Sequence, residues 1–421
     1  MIVQRGEKTI INGFVKQVRD LGKICFLIIR DINGEYQVTI KDEKLLSKAK
    51  ELKDESVVRV EGKRVENPSV INGWELIPEK IEIYTIAEQP LPLNLSIKSG
   101  LDKEIDYRFL SLRIPRIASI FKIESTVNNA IQEFFNKNGF FTIHTSKIVA
   151  AATEGGANVF PILYFDKQAF LAQSPQFYKQ MMMSAGFEKV IEIGPVFRAE
   201  PHHDTRHLCE YTSIDIEVSY IKSYEDIMKY LEKALQYTIK KVIKINQKEL
   251  EILGIKLEIP KLPFPRITMK EAKEILKSKY NKEEEEDLDP EGERLMGSYV
   301  KETYNSDFFF LTEFPWSVAQ FYHMRKKEDN NVTYRADLIY KGLEISTLAQ
   351  REHRYEILLN QLKEKGLHPE EFKFYLDFFR YGVPPHGGAG LGLERIVKQM
   401  LNLENVQEST LLPRTPTHLV P

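Results

Sequence analysis

The sequence predicts a multidomain α+β protein, in which a small N-terminal β-barrel of the OB type precedes a larger domain of mixed strands and helices. Three observations carry that expectation. The chain is 421 residues long, more than one hydrophobic core usually organises. Its first 90 residues are dense in β-branched and aromatic runs, whereas long helical stripes appear only afterwards. Between the two regimes lies Gln89-Pro90-Leu91-Pro92-Leu93, whose prolines mark a connecting segment. The expected boundaries are 1–90 for the barrel, 91–115 for a linker and 116–421 for the larger domain.

Within the barrel, strands are expected at 9–15, 24–30, 36–40, 56–60 and 74–84, with Asn33-Gly34 and Asn72-Gly73 as turn signals. The polar segment 41–54 places Leu45, Leu46, Ala49 and Leu52 at helical spacing, so a short helix falls between the third and fourth strands. Five strands with a helix there are the pattern of an OB barrel, a fold that commonly binds oligonucleotides. Acidic and basic residues balance over 1–90, so such binding must rest on placed groups. Phe26 can stack on an unpaired base, and Arg30, Gln37 and Glu75 can contact its edges. A core role for Phe26 and a surface role for Gln37 fit the same residues equally well.

In the larger domain a helix is expected over 117–136, with Ile120, Ile123, Val127, Ile131 and Phe134 on one face and Asn138-Gly139 as its stop. Strands are expected at 141–148, 170–173 and 190–193, and a short helix at 179–187. Residues 197–217 read as a polar loop followed by an alternating strand. Ser223 and Asp226 have the spacing of a capping box before a helix carrying Ile227, Leu231, Leu235, Ile239 and Val242. Residues 245–310 say little, and the acidic run 283–287 reads as solvated. Strands follow at 308–311, 320–324, 335–340 and 343–345, then a helix at 350–365 and a glycine-rich strand-to-helix junction at 386–395.

A formal net charge of −2 excludes a globally basic nucleic-acid binder. Cys25 and Cys209 are too few for a disulfide framework, which points to a reducing, cytoplasmic setting. The longest apolar run, 24–29, is far short of a membrane span, so no membrane partner is expected. There is no Walker phosphate loop and no G-x-S-x-G elbow, and no C-x-x-C pair accompanies His202, His203, His207 and Cys209 to support a zinc site. A different set belongs together. Arg198 and Arg206 offer planar forks for phosphate, with Lys179 and Arg351 as further cations. Asp337 and Glu344, seven apart across a strand-turn-strand, offer oxygen ligands for magnesium. Arg395 follows a glycine run that lets a ligand approach the backbone, and Glu154, Ser174, Gln176 and Asp215 can receive an ammonium group. The inventory suits a substrate with one amino and two carboxylate groups beside a nucleoside triphosphate.

The ordered motifs add specificity. FRAEPHHDTRH followed by SIDIE resembles the second signature motif of class II aminoacyl-tRNA synthetases, and PPHGG with GLGLER resembles the third. TEGGANVF, QSPQFYKQ, LPFPR, GLEIS and QREHR together resemble the aspartyl-tRNA synthetase family in its archaeal and eukaryotic-like branch. The resemblance covers nearly the whole chain. It implies a catalytic domain built on an antiparallel sheet flanked by helices, a homodimer, and a barrel that reads the tRNA anticodon through Phe26, Gln37 and Glu75. It further implies that Arg198 bridges the aspartate α-carboxylate and the α-phosphate. Glu200 would meet the adenine amino group, Arg206 and His207 the terminal phosphates, and Arg395 the adenine face and γ-phosphate. Asp337, Glu344 and Thr347 would surround Mg2+, with Glu344 also at the ATP. Glu154, Ser174, Gln176 and Asp215 would take the α-ammonium, and Lys179 and Arg351 the side-chain carboxylate. The asparaginyl family shares the architecture, but usually has Glu where this chain has Asp215. Transfer would be to the 3′-end of aspartate tRNA, with asparagine tRNA as an open second acceptor.

Three positions depart from the family pattern. Ser146 replaces the proline of the first motif, which contributes to the dimer interface. Leu348 replaces a glycine that normally lies close to the substrates. Trp316-Ser-Val-Ala-Gln320 lacks the basic residue usual before the Phe-Tyr pair.

Overall fold

The structure is a computed structural model that describes residues 8–150, 158–201 and 204–420. The chain divides into two compact units, Met1–Asn94 and Leu95–Pro421. The first is a closed barrel of β1 (Lys8–Asp20), β2 (Cys25–Arg30), β3 (Glu35–Ile40), β4 (Val57–Glu66) and β5 (Trp74–Thr85), in the order β1-β2-β3-β5-β4. The helix α1 (Glu43–Glu51) lies between β3 and β4, and the Asp42 carboxylate starts it by accepting from the Lys44 and Leu45 N–H groups at 3.0 Å. Strand alternation does the sorting. Cys25, Leu27 and Ile29 fill the barrel, which leaves Phe26, Ile28 and Arg30 on its outer face.

The second unit begins earlier than the linker expectation allows. Residues 95–115 hold α2 (Leu101–Asp106) and α3 (Arg108–Ser111), and belong to this unit. The cause is Arg108, whose buried guanidinium donates to the carbonyls of Gln407, Thr410 and Leu411 at 3.3, 2.9 and 2.8 Å. Its partners lie some 300 residues on, so local reading misses them.

Next come α4 (Pro115–Lys137), β6 (Phe141–Thr142), β7 (Ile148–Val149), β8 (Pro161–Tyr164), β9 (Lys167–Leu171), α5 (Gln176–Ser184), β10 (Lys189–Phe197) and β11 (Glu210–Ser219). They are followed by α6 (Glu225–Ile245), α7 (Gln247–Leu253), β12 (Arg266–Thr268), α8 (Met269–Tyr280), α9 (Pro290–Tyr304), β13 (Phe308–Thr312), β14 (Arg335–Tyr340) and β15 (Leu343–Gln350). The unit closes with α10 (Tyr355–Glu364), α11 (Lys373–Arg380), β16 (His386–Gly392) and α12 (Leu393–Met400). Eight strands form one sheet in the order β12-β13-β14-β15-β16-β11-β10-β6, and β7-β9-β8 form a small second sheet. The six inner strands run antiparallel, as expected, but both edge strands pair parallel, which makes the sheet mixed. The α4 stripe is buried with α6 and the core-facing side chains of the sheet. No helix among the described residues is long and apolar enough to cross a membrane.

Several local expectations shift. The strand expected at 141–148 splits into β6 and β7, because the buried Glu192 carboxylate pulls the intervening loop inward. It accepts from the Thr145 N–H at 2.9 Å and from the Lys147 ammonium at 2.8 Å, and Ser146 sits exposed between them. Residues 320–324 are irregular rather than a strand, with the Gln361 amide donating to the Phe321 and His323 carbonyls. The helix expected from 350 starts at Tyr355, since Gln350 completes β15 and Arg351 bridges to His323. The expected capping box is displaced too. Tyr224 is the cap of α6, and Asp226 accepts from the Lys222 N–H. A true box, Thr268 with Glu271, starts α8 inside the stretch that said little.

On α4, burial pushes the Glu124 carboxyl up to about 8, with Glu394 adding to the rise and Arg108 opposing it. A carboxyl raised in the fold supplies stability that is present below its unfolded value and is lost as pH climbs through the folded one. Glu124→Gln removes that loss, so its melting temperature is expected to exceed that of the unmodified chain at pH 8.5 and to match it near pH 4.5. Thermal denaturation at the two pH values checks this.

Candidate active site

One face of β11 decides where the site lies. Ser213, Asp215 and Glu217 alternate on it, and their register partners on β16 are Gly392, Gly390 and Gly388. The glycines make room for acids. A Cβ at residue 388 would stand 2.0 Å from Glu217 Oε2 and 2.2 Å from the Ile216 carbonyl, and one at 390 would touch Asp215. The opposite faces carry Ile214, Ile216, Ala389 and Leu391 into the core. A cleft of about 360 Å³ opens over the polar face, and every described candidate of the larger domain except Asp337 lines it. Glu154, His202 and His203 lie outside the described residues.

At the closed end, two buried cations meet these acids. The Lys179 ammonium donates to Asp215 Oδ1 at 2.7 Å and to the Ala389 carbonyl at 3.0 Å, and lies 3.6 Å from Glu217. The Arg351 guanidinium grips Glu217 through Nε at 3.0 Å and reaches Gln176 Oε1 at 3.3 Å. Lys179 projects from α5, where Phe177 anchors the helix against Phe321 and Tyr375. Behind them Gln176 donates to Gln180, which joins His386 at 2.9 Å and accepts from the Tyr375 hydroxyl at 3.0 Å. Burial drives His386 down to about 4, so that ring is neutral at physiological pH.

The open end is built from the loop before β11 and the start of α12. Asp204 orders the loop by accepting from the Arg206 and His207 N–H groups at 2.8 Å and from the His207 ring at 2.7 Å. The Arg198 guanidinium lies 5.7 Å over the Tyr211 ring, and the Glu200 N–H closes a tight turn onto the Arg198 carbonyl. Arg395 donates to the Glu344 carbonyl at 3.0 Å, to its carboxylate at 3.3 Å and to the Arg206 carbonyl at 3.2 Å. Sequence reading missed Glu293 on α9. It accepts from Arg206 at 2.5 Å and from the Glu344 N–H at 3.2 Å, and burial pushes its carboxyl up to about 7. No motif marks it; the signal is the close seat of Gly297 on Gly342, which presses α9 onto the β14–β15 turn. Because Glu293 holds Arg206, which the family resemblance places on the terminal phosphates, Glu293→Gln is expected to raise KM for ATP by roughly tenfold or more, the scale of one charge-assisted hydrogen bond, while leaving KM for the amino acid unchanged.

Magnesium takes oxygen ligands and needs few from protein when phosphates supply the rest. Glu344 and Thr347 fit that demand. They line the cleft, joined by a 3.0 Å hydrogen bond, and Arg395 and Arg335 outweigh burial to hold the Glu344 carboxyl below its usual range. Asp337 does not fit. It lies behind the cleft lining, and both its oxygens go to Arg335, at 2.8 and 3.3 Å. Among the described residues no three His, Cys, Asp or Glu side chains form a metal cluster. Leu348 does not line the cleft. Alternation turns it to the opposite face from Thr347, where it is fully buried with Ala336 and Ala389.

On the barrel, Phe26, Gln37 and Glu75 share the outer face. Phe26 pairs with Thr39 in register, Gln37 pairs with Glu75, and the Glu75 carboxylate accepts from Gln37 at 3.0 Å and from the Thr39 hydroxyl. Of the alternatives open for Phe26, the interior of the barrel is therefore excluded.

A long sheet whose central strands present arginines and carboxylates, following an OB barrel in the chain, is the fold of the class II synthetases, and sequence comparison agrees. Residues 100–416 match the family of class II tRNA synthetases (D, K and N), and residues 9–84 match the OB-fold nucleic acid binding domain. The chain belongs to the class II aminoacyl-tRNA synthetases, enzymes that use ATP to join an amino acid to tRNA. It is 49% identical over 427 residues to the aspartate–tRNA(Asp/Asn) ligase of Aeropyrum pernix, covering 99% of this chain and 96% of that one. It is also 49% identical to the aspartate–tRNA(Asp) ligase of Pyrococcus abyssi, over 99% and 97%. Among solved structures, asparaginyl-tRNA synthetase from Pyrococcus horikoshii in complex with asparaginyl-adenylate superposes with a TM-score of 0.92 at 32% identity, over 99% and 97% of the chains.

Proposed function

We propose that this synthetase is an aspartate–tRNA ligase. One observation carries the choice of amino acid: Lys179 and Arg351, 1% and 3% exposed, are set against Asp215 and Glu217 at the closed end, with Arg198 lining the same cleft. A side-chain carboxylate brings Lys179 and Arg351 a matching charge. The neutral amide of asparagine brings none, which is costly in a site of low polarity. The nucleotide class rests on the family and on the cluster of Arg198, Arg206, His207 and Arg395 at the open end.

In this reading the side-chain carboxylate displaces the acids now holding Lys179 and Arg351, and the ammonium is received by Asp215, Ser174, Gln176 and Glu154. Arg198 holds the α-carboxylate against the α-phosphate, so an already charged oxygen attacks and pyrophosphate departs. Glu200 receives the adenine amino group, Arg395 covers the ring, and Arg206 and His207 hold the terminal phosphates. Positioning and charge neutralisation carry the rate, and no protein nucleophile is needed. Mg2+ would be held by Glu344 and Thr347 and would screen the phosphate charge. The aspartyl group then passes to the tRNA 3′-end, while Phe26, Gln37 and Glu75 read an anticodon base. The working state is a cytoplasmic homodimer.

Amino-acid-dependent ATP–pyrophosphate exchange tests the assignment. Exchange with aspartate and none with asparagine is expected; the reverse sinks it. The A. pernix relative is named for both tRNAs and the P. abyssi relative for one. Charging purified aspartate and asparagine tRNAs decides which pattern this chain follows.

A further inference from the structure

We infer that Arg335 is a resident cation at the terminal-phosphate end of the cleft, taking at Asp337 the place that a divalent ion would otherwise hold. The inference rests on the proposed ATP site. Arg335 and Asp337 stand two apart on β14 and so share a face, opposite Ala349 and Thr347 of β15. The guanidinium is fixed on three sides. It grips both Asp337 oxygens, at 2.8 and 3.3 Å, donates to the Val318 carbonyl at 3.2 Å, and lies 4.0 Å over the Phe314 ring. Its remaining face lines the cleft beside Glu344 and Thr347.

That arrangement is more than a surface ion pair. The two side chains are only 14% and 7% exposed, and a planar fork against a carboxylate is the strongest geometry such a pair adopts. A metal ion bound through Asp337 would have to strip both oxygens from Arg335 and then sit against a buried positive charge, with Glu344, itself held by Arg395, and Asp287 as the acids that act on this pair. A guanidinium already in place supplies fixed positive charge to a triphosphate without dehydrating an ion. It also restores a cation beside the segment 316–320, which has no basic residue of its own. The metal is thereby confined to Glu344 and Thr347.

The test counts bound Mn2+ by electron paramagnetic resonance on the full chain with ATP and no amino acid, so that no reaction proceeds. Arg335→Gln is expected to bind one Mn2+ more per chain than the unmodified protein, because Asp337 is freed. The double variant Arg335→Gln/Asp337→Asn is expected to return to the original count. Mg2+ dependence of exchange should become steeper in Arg335→Gln and not in the double variant. An unchanged count in Arg335→Gln, or an ion lost from the otherwise unmodified chain on Asp337→Asn, overturns the inference. Failure of the unmodified chain to bind ATP at all is a different result, and overturns the proposed function instead. Thermal denaturation of each variant confirms that the fold is intact before ions are counted.

Discussion

Replacing Lys179 with Met is expected to abolish aspartate-dependent exchange and to destabilise the chain by roughly 3–5 kcal/mol, the scale of removing one partner from a buried ion pair. The side chain is fully enclosed, so Met fills much of its volume. What is lost is the charge between Asp215 and Glu217, two buried carboxylates that then face each other with Arg351 alone. Urea unfolding reads the stability and pyrophosphate exchange reads the activity. A loss of activity with stability within about 1 kcal/mol of the original would show that the acids find compensation elsewhere, and the charge balance invoked for aspartate would be wrong.

Gly388→Ala carries the second large effect. Its Cβ would fall 2.0 Å from a buried carboxylate oxygen and 2.2 Å from a backbone carbonyl, and the backbone cannot retreat without opening the β11–β16 ladder. Overpacking of this kind costs about 1–3 kcal/mol, and here it also moves Glu217 off Arg351. Gly390→Ala is the control, because its Cβ would sit 3.4 Å from Asp215 Oδ1 and demands a much smaller adjustment. The first variant is expected to lose stability and activity together. The second should keep its melting temperature within a few degrees while KM for aspartate rises. Equal melting temperatures for the two would refute the steric account.

Periodicity made most of the architecture legible. The α4 stripe, the barrel strands and the glycine-rich junction at 386–395 are each local patterns whose cause and consequence lie within one element. The motif residues around the cleft were legible for another reason, since their spacing matches a family. What stayed hidden depends on partners far apart in sequence. Arg108 looked like linker because its carbonyl partners lie at the other end of the domain. Glu293 was one acid in an uninformative stretch until α9 docked on the β14–β15 turn. Arg335 could be recognised as the partner of Asp337 by their two-residue spacing, but only once the segment was known to be a strand. The pairing of acids on β11 with glycines on β16 is written openly as two alternations. Reading it requires knowing that the strands are neighbours. Leu348 teaches the converse: a substitution that is conspicuous in a motif can point into the core.

The Gln180–His386–Tyr375 group beneath the amino-acid site has a consequence as pH falls. Burial pushes the His386 ring down to about 4, so it stays neutral on mild acidification and the hydrogen bonds behind Gln176 keep the same partners. A histidine with an ordinary titration would add a charge to the pocket floor during acidification and tilt the choice between an acid and its amide. A ring that stays neutral leaves that choice untouched.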